Sequence, residues 1–138
     1  MLPVLAGAWL TVQQLGWGQG TWEPIARTFT VCGKQSSEAC VIDGDTLAIG
    51  KRRIRLTGFD APELDGPCEA ERQLAREARD ALADWLNAGP FEMDGGAEPP
   101  RDRYGRELRE VRRGSEALAD TMVERGLARR SAEERDWC

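Results

Sequence analysis

The sequence predicts a small α+β domain, on three observations. Short runs of apolar and β-branched residues separated by polar turns fill Arg27–Phe59. A long apolar repeat at three- and four-residue spacing starts near Cys68, and a strand pair and a second helix follow Pro90. At 138 residues the chain holds one domain and is too short for two ordinary ones. Hydrophobic residues at 41% and charged residues at 31% describe a globular chain with a modest core, which excludes disordered and fibrous classes.

Residues 1–25 read as an N-terminal apolar segment and a Gly/Trp-rich linker, the remnant of a signal or an anchor, and residues 26–138 as the domain. Leu2–Val12 is apolar except for Thr11. It is well short of the ~20 residues that span a bilayer, and no Lys or Arg precedes Arg27 to form a basic signal region. Trp9, Trp17 and Trp22 suit a membrane contact or packing on the domain. Gly16–Pro24 reads as the linker.

Arg27–Cys32 is the first strand. Cys40–Ile42 and Thr46–Ile49 form a second extended stretch broken by Asp43-Gly44-Asp45, and Gly50-Lys51 turns the chain into a third strand, Arg52–Phe59. Pro62 ends that strand, since a proline holds its predecessor extended and lacks a ladder donor. The helix that starts near Cys68 buries Ala70, Leu74, Ala75, Ala78, Ala81, Leu82, Trp85 and Leu86, and Gly89-Pro90 stops it. Phe91–Met93 is a brief strand, Gly95–Arg103 a loop and Arg106–Arg112 a charged strand. Ser115 is the expected N-cap of a second helix that runs to Arg125 and stops at Gly126. Short twisted strands of this kind close into a barrel, with the long helix over one opening.

Histidine is absent from the chain. Imidazole bases, nucleophiles and metal ligands are excluded with it, and so are serine and cysteine hydrolases that need a histidine. Any catalysis here uses carboxylates, arginines and a hard metal. The net charge of −5 argues mildly against a nucleic-acid surface binder. Yet 17 of the 19 cations are arginine, the side chain whose planar fork grips phosphate and carboxylate. Six of them fall between Arg101 and Arg113, against three acids.

Cys32, Cys40, Cys68 and Cys138 allow three disulfide pairings. No C-x-x-C pair and no histidine supports a zinc site. Cys32 and Cys40 bracket the polar loop Gly33–Ala39, which suits a bridge between neighbouring strand ends, and a free thiol at the last residue would have little structural purpose. We therefore expect Cys32–Cys40 and Cys68–Cys138, and an oxidising compartment. Reduced, buried cysteines are the alternative.

Three motifs carry chemistry: Val41-Ile42-Asp43-Gly44-Asp45-Thr46, Arg55-Leu56-Thr57-Gly58-Phe59-Asp60-Ala61-Pro62-Glu63 and Asp102-Arg103-Tyr104-Gly105-Arg106. Taken singly each reads as a turn or a strand end. Together they supply two hard anionic oxygens, from Asp45 and Asp60, and a pre-proline bend that can turn the Ala61 carbonyl toward them. With water and a phosphate oxygen, that donor set suits the oxygen shell of Ca²⁺. Glu63 is placed to hold or deprotonate a water, and Arg55 and Arg106 to clamp a phosphate as its charge grows.

In their order and separation these motifs resemble the staphylococcal nuclease (thermonuclease) family, over roughly Val41–Arg129 including the closing ERGLAR segment. The resemblance implies an OB-fold-like five-stranded β-barrel with two packed helices, and a Ca²⁺-dependent endonuclease with one ion per site acting on DNA and RNA. By position it implies Asp45 and Asp60 as metal carboxylates, Ala61 as a carbonyl ligand and Thr46 beside the metal. It implies Glu63 as general base, Arg55 and Arg106 as phosphate-binding arginines, and Arg103 and Tyr104 in the nucleotide pocket. The tyrosines of the staphylococcal enzyme after its equivalent of Gly126-Leu127-Ala128 are replaced by Arg129-Arg130-Ser131. The cysteines look more like those of exported bacterial relatives, which implies a periplasmic, secreted or membrane-anchored location.

The rival reading is a catalytically weak OB-fold module that binds nucleic acid or protein, since fold alone does not guarantee activity. A monomer with no stable protein partner is expected under either reading. Arg101, Arg109, Arg112 and Arg113 have no motif partner and are expected on solvated faces.

Overall fold

The computed structural model describes residues 22–33, 38–131 and 136–138. Trp9, Trp17 and the apolar run Leu2–Val12, expected as a membrane contact or anchor remnant, lie outside the described residues. The strands are β1 (Glu23–Ile25), β2 (Thr30–Val31), β3 (Ala39–Asp43), β4 (Thr46–Ile49), β5 (Arg52–Leu56), β6 (Phe91–Met93), β7 (Glu107–Arg109), β8 (Val111–Arg113) and β9 (Glu116–Ala117). Helix α1 spans Glu69–Asn87 and helix α2 spans Leu118–Glu124. Among the described residues, no helix is long and apolar enough to cross a membrane.

The expected α+β class and five-stranded sheet are present. That sheet runs β2-β3-β4-β5-β7, and a second sheet runs β1-β6-β8-β9. The ladders of the described residues do not close into one barrel; the two sheets instead share one apolar core. Val41, Leu47, Ile54 and Leu56 enter it from the first sheet, Met93 from the second, and Leu82 from α1, all essentially inaccessible. Truncating one such Leu to Ala typically costs about 2–5 kcal/mol.

Helix α1 matches its sequence period closely. Ala75, Ala78, Ala81, Leu82, Trp85 and Leu86 are buried, while Ala70 is exposed and Leu74 half-buried. The expected pairings Cys32–Cys40 and Cys68–Cys138 are both formed. The first ties β3 to the residue that follows β2, and the second ties the last residue to the N-cap of α1.

Four local readings are corrected. The stretch taken as a linker contains β1, which pairs antiparallel with β6. The third strand stops at Leu56 rather than Phe59, because Gly58 takes a positive φ of 95° and turns the chain out of the sheet. The single strand read over Arg106–Arg112 is two strands in different sheets. The break falls at Glu110, whose N–H donates to Asp94 Oδ1 at 2.6 Å and whose carbonyl accepts from Asp94 N at 3.0 Å. Helix α2 starts three residues after Ser115, with Ala117 as its N-cap, because Glu116 and Ala117 are first consumed by pairing with Arg113 and Arg112.

Arg109 does not sit on a solvated face. It is 3% exposed and meets Glu107 (2% exposed) at 2.8 Å. Arg52 completes the network, with Nε 2.9 Å from Glu107 Oε2 and Nη2 3.1 Å from Glu23 Oε1. Glu23 belongs to one sheet and Arg52, Glu107 and Arg109 to the other, so the network joins the two.

Candidate active site

Close packing brings the first two motifs together. A Cβ on Gly44 would lie 2.8 Å from both Ala61 Cβ and Ala78 Cβ, so only glycine lets the β3–β4 turn approach both α1 and the Asp60–Ala61 segment. Asp45 leaves that turn, and Asp60 is held by reciprocal backbone hydrogen bonds with Arg129, at 2.7 and 3.0 Å. Both aspartates are 7% exposed.

The two acids meet at Arg55. Its Nη2 lies 3.3 Å from Asp45 Oδ2 and 2.6 Å from Asp60 Oδ1, and Nη1 also donates to the Leu56 carbonyl. Ala61 N–H donates to Asp45 Oδ2 at 3.0 Å, and the Thr46 hydroxyl donates to Asp45 Oδ1 at 3.0 Å. Burial pushes the Asp45 carboxyl up to about 6, helped by the nearby charge of Asp43 and opposed by Arg55 and the Ala61 N–H. Four of the residues singled out in the sequence thus form one hydrogen-bonded group around Asp45: Thr46, Arg55, Ala61 and, through Arg55, Asp60.

Glu63 is exposed and lies outside the hydrogen-bonded group around Asp45, with its N–H bonded to Glu71 Oε2 at 2.9 Å. Its carboxyl is raised, first by partial desolvation and then by the charges of Asp45, Asp65 and Glu71, against Arg55. Arg106 immediately precedes β7, which lies beside β5 and its Arg55 in the same sheet. Asp102 Oδ2 accepts from its Nε at 2.7 Å and Asp102 Oδ1 accepts from its N–H at 2.9 Å, which closes the Asp102–Arg106 turn. Arg55 and Arg106 line the same open cleft of ≈ 280 Å³, together with Thr57, Phe59, Asp102 and Leu108. Tyr104 is 68% exposed, with the Arg103 guanidinium 4.8 Å from its ring centre and Arg103 Nη2 donating to its hydroxyl at 2.6 Å.

A hard cation fits this donor set in part. Asp43 lies beside the buried Asp45 and its charge raises the Asp45 carboxyl further, a local negative charge that a cation would offset. Among the described residues, however, no three acids or thiols gather into a complete metal cage. Backbone oxygen, water and substrate would have to complete a shell of six to eight oxygens, as they commonly do for Ca²⁺.

The family resemblance of the motifs agrees with comparison to known proteins. Residues 53–136 match the protein family described as "Staphylococcal nuclease homologue". This chain belongs to that family. Arg55, Asp60, Ala61, Glu63, Arg103, Tyr104 and Arg106 fall within the matched residues, while Asp45 and Thr46 precede them. Among similar proteins, a thermonuclease of Staphylococcus intermedius is 34% identical over 93 residues, covering 64% of this chain and 55% of that protein. An endonuclease, YncB, of Bacillus subtilis (strain 168) is 29% identical over 92 residues, covering 64% of this chain and 44% of that protein. A succinoglycan biosynthesis protein, ExoI, of Rhizobium meliloti (strain 1021) is 39% identical over 74 residues, covering 50% and 37%. The chain spans about half the length of the relatives it matches.

Two residues beside the site escaped the sequence reading as functional candidates. Asp43 accepts from Asp45 N at 3.1 Å and biases its charge, and it was legible only as half of an Asp-Gly-Asp turn. Glu71 holds the Glu63 backbone. Its signal was the Cys68-x-x-Glu71 spacing, which mimics a capping box.

Proposed function

We propose that the chain is a Ca²⁺-dependent endonuclease hydrolysing phosphodiester bonds of DNA and RNA. The observation that carries the reading is Arg55, which touches both buried aspartates and also lines the cleft it shares with Arg106. The names of the thermonuclease and endonuclease relatives support the reaction class.

Asp45, Asp60 and the Ala61 carbonyl would hold the ion, with Thr46 orienting Asp45 through the bond it already makes. When bound, the ion supplies Lewis-acid polarisation of the phosphate. Glu63 takes a proton from the attacking water. Its carboxyl, raised above the usual range, is a better proton acceptor than an ordinary glutamate. The water oxygen bonds to phosphorus as the bond to the leaving oxygen breaks; the leaving oxygen takes a proton from solvent water, and Glu63 returns its proton to solvent. Arg55 and Arg106 donate to phosphoryl oxygens whose charge grows along this path, and Asp102 orients Arg106 for it. Arg103 and Tyr104 supply a cation and an exposed ring for the nucleotide.

Two disulfides and no free cysteine suit an oxidising, extracytoplasmic compartment. Supercoiled plasmid incubated with the protein and Ca²⁺ should be nicked, and a chelator should stop it. Binding of nucleic acid without nicking would favour the non-catalytic OB-fold module instead.

A further inference from the structure

We propose that Glu71 is a positioning residue for Glu63, holding the segment that carries the general base. The inference rests on the nuclease reading above and assigns a residue beyond its catalytic set.

An acid in the first turn of a helix ordinarily stands in water, where it complements the helix dipole. Glu71 is instead 5% exposed. A buried carboxylate is unfavourable unless its oxygens are hydrogen-bonded, and here Oε2 accepts the Glu63 N–H at 2.9 Å. The loop is shaped around that contact. A Cβ on Gly66 would lie 2.5 Å from Glu71 Cδ and 2.8 Å from Oε2, so the absent side chain at Gly66 is the space the carboxylate fills. Gly66 N–H donates back to the Glu63 carbonyl at 3.0 Å, closing the turn over Glu71.

The helix end holds Glu71 in turn. Cys68 Sγ accepts from Glu71 N at 3.4 Å, and the disulfide partner Cys138 places its Sγ 4.0 Å from Glu71 Oε1. Among the described residues, no hydrogen bond reaches the Glu63 carboxylate itself. The Glu63 segment is held through its backbone, by the Glu71 carboxylate on its N–H and by Gly66 N–H on its carbonyl.

The test uses the whole chain with Ca²⁺ and DNA, in wild type and three variants. Glu71→Met removes the acceptor, Glu71→Gln keeps one carbonyl oxygen toward Glu63 N–H, and Gly66→Ala displaces the carboxylate without altering the helix. Two readouts are taken: hydrogen exchange of the Glu63 amide by NMR, and kcat and KM for cleavage. Wild type should protect the Glu63 amide, and Glu71→Met should lose that protection. Its kcat should fall about 10- to 100-fold, the range for a group moved by about 1 Å, with KM nearly unchanged. Glu71→Gln should recover most of both losses, and Gly66→Ala should resemble Glu71→Met. An unprotected Glu63 amide in wild type, or full kcat in Glu71→Met, overturns the proposal. So does a loss that appears in KM alone. If Glu71→Met does not fold, Gly66→Ala and the wild-type exchange rate decide the same question. A wild type that never cleaves overturns the nuclease reading, and the exchange data then decide separately whether Glu71 holds Glu63.

Discussion

Arg55 Nη2 stands 3.3 Å from Asp45 Oδ2 and 2.6 Å from Asp60 Oδ1, so one guanidinium serves two buried acids. It does not fully offset them, because Asp45 remains raised from 3.8 to about 6. Folding therefore strengthens proton binding at Asp45, and the folded state gains stability as pH falls through that window. At pH 7 the ionised carboxylate opposes folding by up to about 3 kcal/mol, the equivalent of that shift.

The first prediction compares Asp45→Asn with wild type in thermal melts without metal. The variant should melt higher at pH 7, and the advantage should vanish near pH 4. Ca²⁺ should raise the melting temperature of wild type and leave that of the variant where it was. Equal melting temperatures at pH 7 would remove the charge argument.

Arg55 and Arg106 should act on kcat, since a donor to a phosphoryl oxygen bonds more strongly as that oxygen gains charge. Lysine keeps the charge and loses the planar fork. Substituting either with Lys should lower kcat at least ~100-fold, the low end for losing one transition-state donor. Arg112 is a control. It lies 3.6 Å over the Trp22 ring and 3.2 Å from Glu92, and its substitution should leave kcat almost unchanged. Full kcat in Arg106→Lys beside a lost kcat in Arg112→Ala would refute the assignment.

Much of this site was legible because its residues are close in sequence. Asp45 enters β4 and Arg55 lies on β5, so the β4–β5 register sets them side by side, while Asp60 follows β5 and is fixed by its backbone bonds to Arg129. Asp-Gly-Asp reads as a turn, which it is, but the contacts that demand glycine at position 44 come from Ala61 and Ala78. Those are tertiary contacts and leave no local trace. The same limit explains Arg109, whose alternating, charged neighbourhood reads as a solvated strand. Its burial depends on Glu23, Arg52 and Glu107, three acids and bases scattered over two sheets. The break at Glu110 was hidden too, because the residue that turns it, Asp94, lies sixteen positions away.

The buried network offers a stability test. Arg52 and Arg109 hold the Glu107 carboxyl below its usual 4.5, chiefly through the Arg52 hydrogen bonds. A lowered folded pKa contributes stability above pH 4.5 that is lost as pH falls further. Glu107→Ala takes from the buried Arg109 its nearest carboxylate, leaving it Glu23 at 3.5 Å and the Asp94 carbonyl at 2.6 Å; this should destabilise by up to about 3–5 kcal/mol at pH 7, the range for breaking a buried pair. The difference from wild type should shrink below pH 4. Urea unfolding at the two pH values measures both, and a loss under about 1 kcal/mol at pH 7, as for a surface pair, would contradict it.

The two disulfides should contribute unequally. Cys32–Cys40 closes 8 residues and Cys68–Cys138 closes 70. In the chain-entropy picture these correspond to about 2–3 and about 4 kcal/mol. Non-reducing peptide mapping should recover these two pairs and no free thiol. The longer bridge also lies at the N-cap of α1, beside Glu71 and one turn from the Glu63 loop. Cys138→Ser should therefore lower the melting temperature more than Cys32→Ser and should also loosen the Glu63 segment that Glu71 holds. Cys32→Ser, whose bridge ties β2 to β3, should lower stability while kcat holds. Equal kcat in the two serine variants at a temperature where both are folded would mean that the C-terminal bridge stabilises the chain without holding the site.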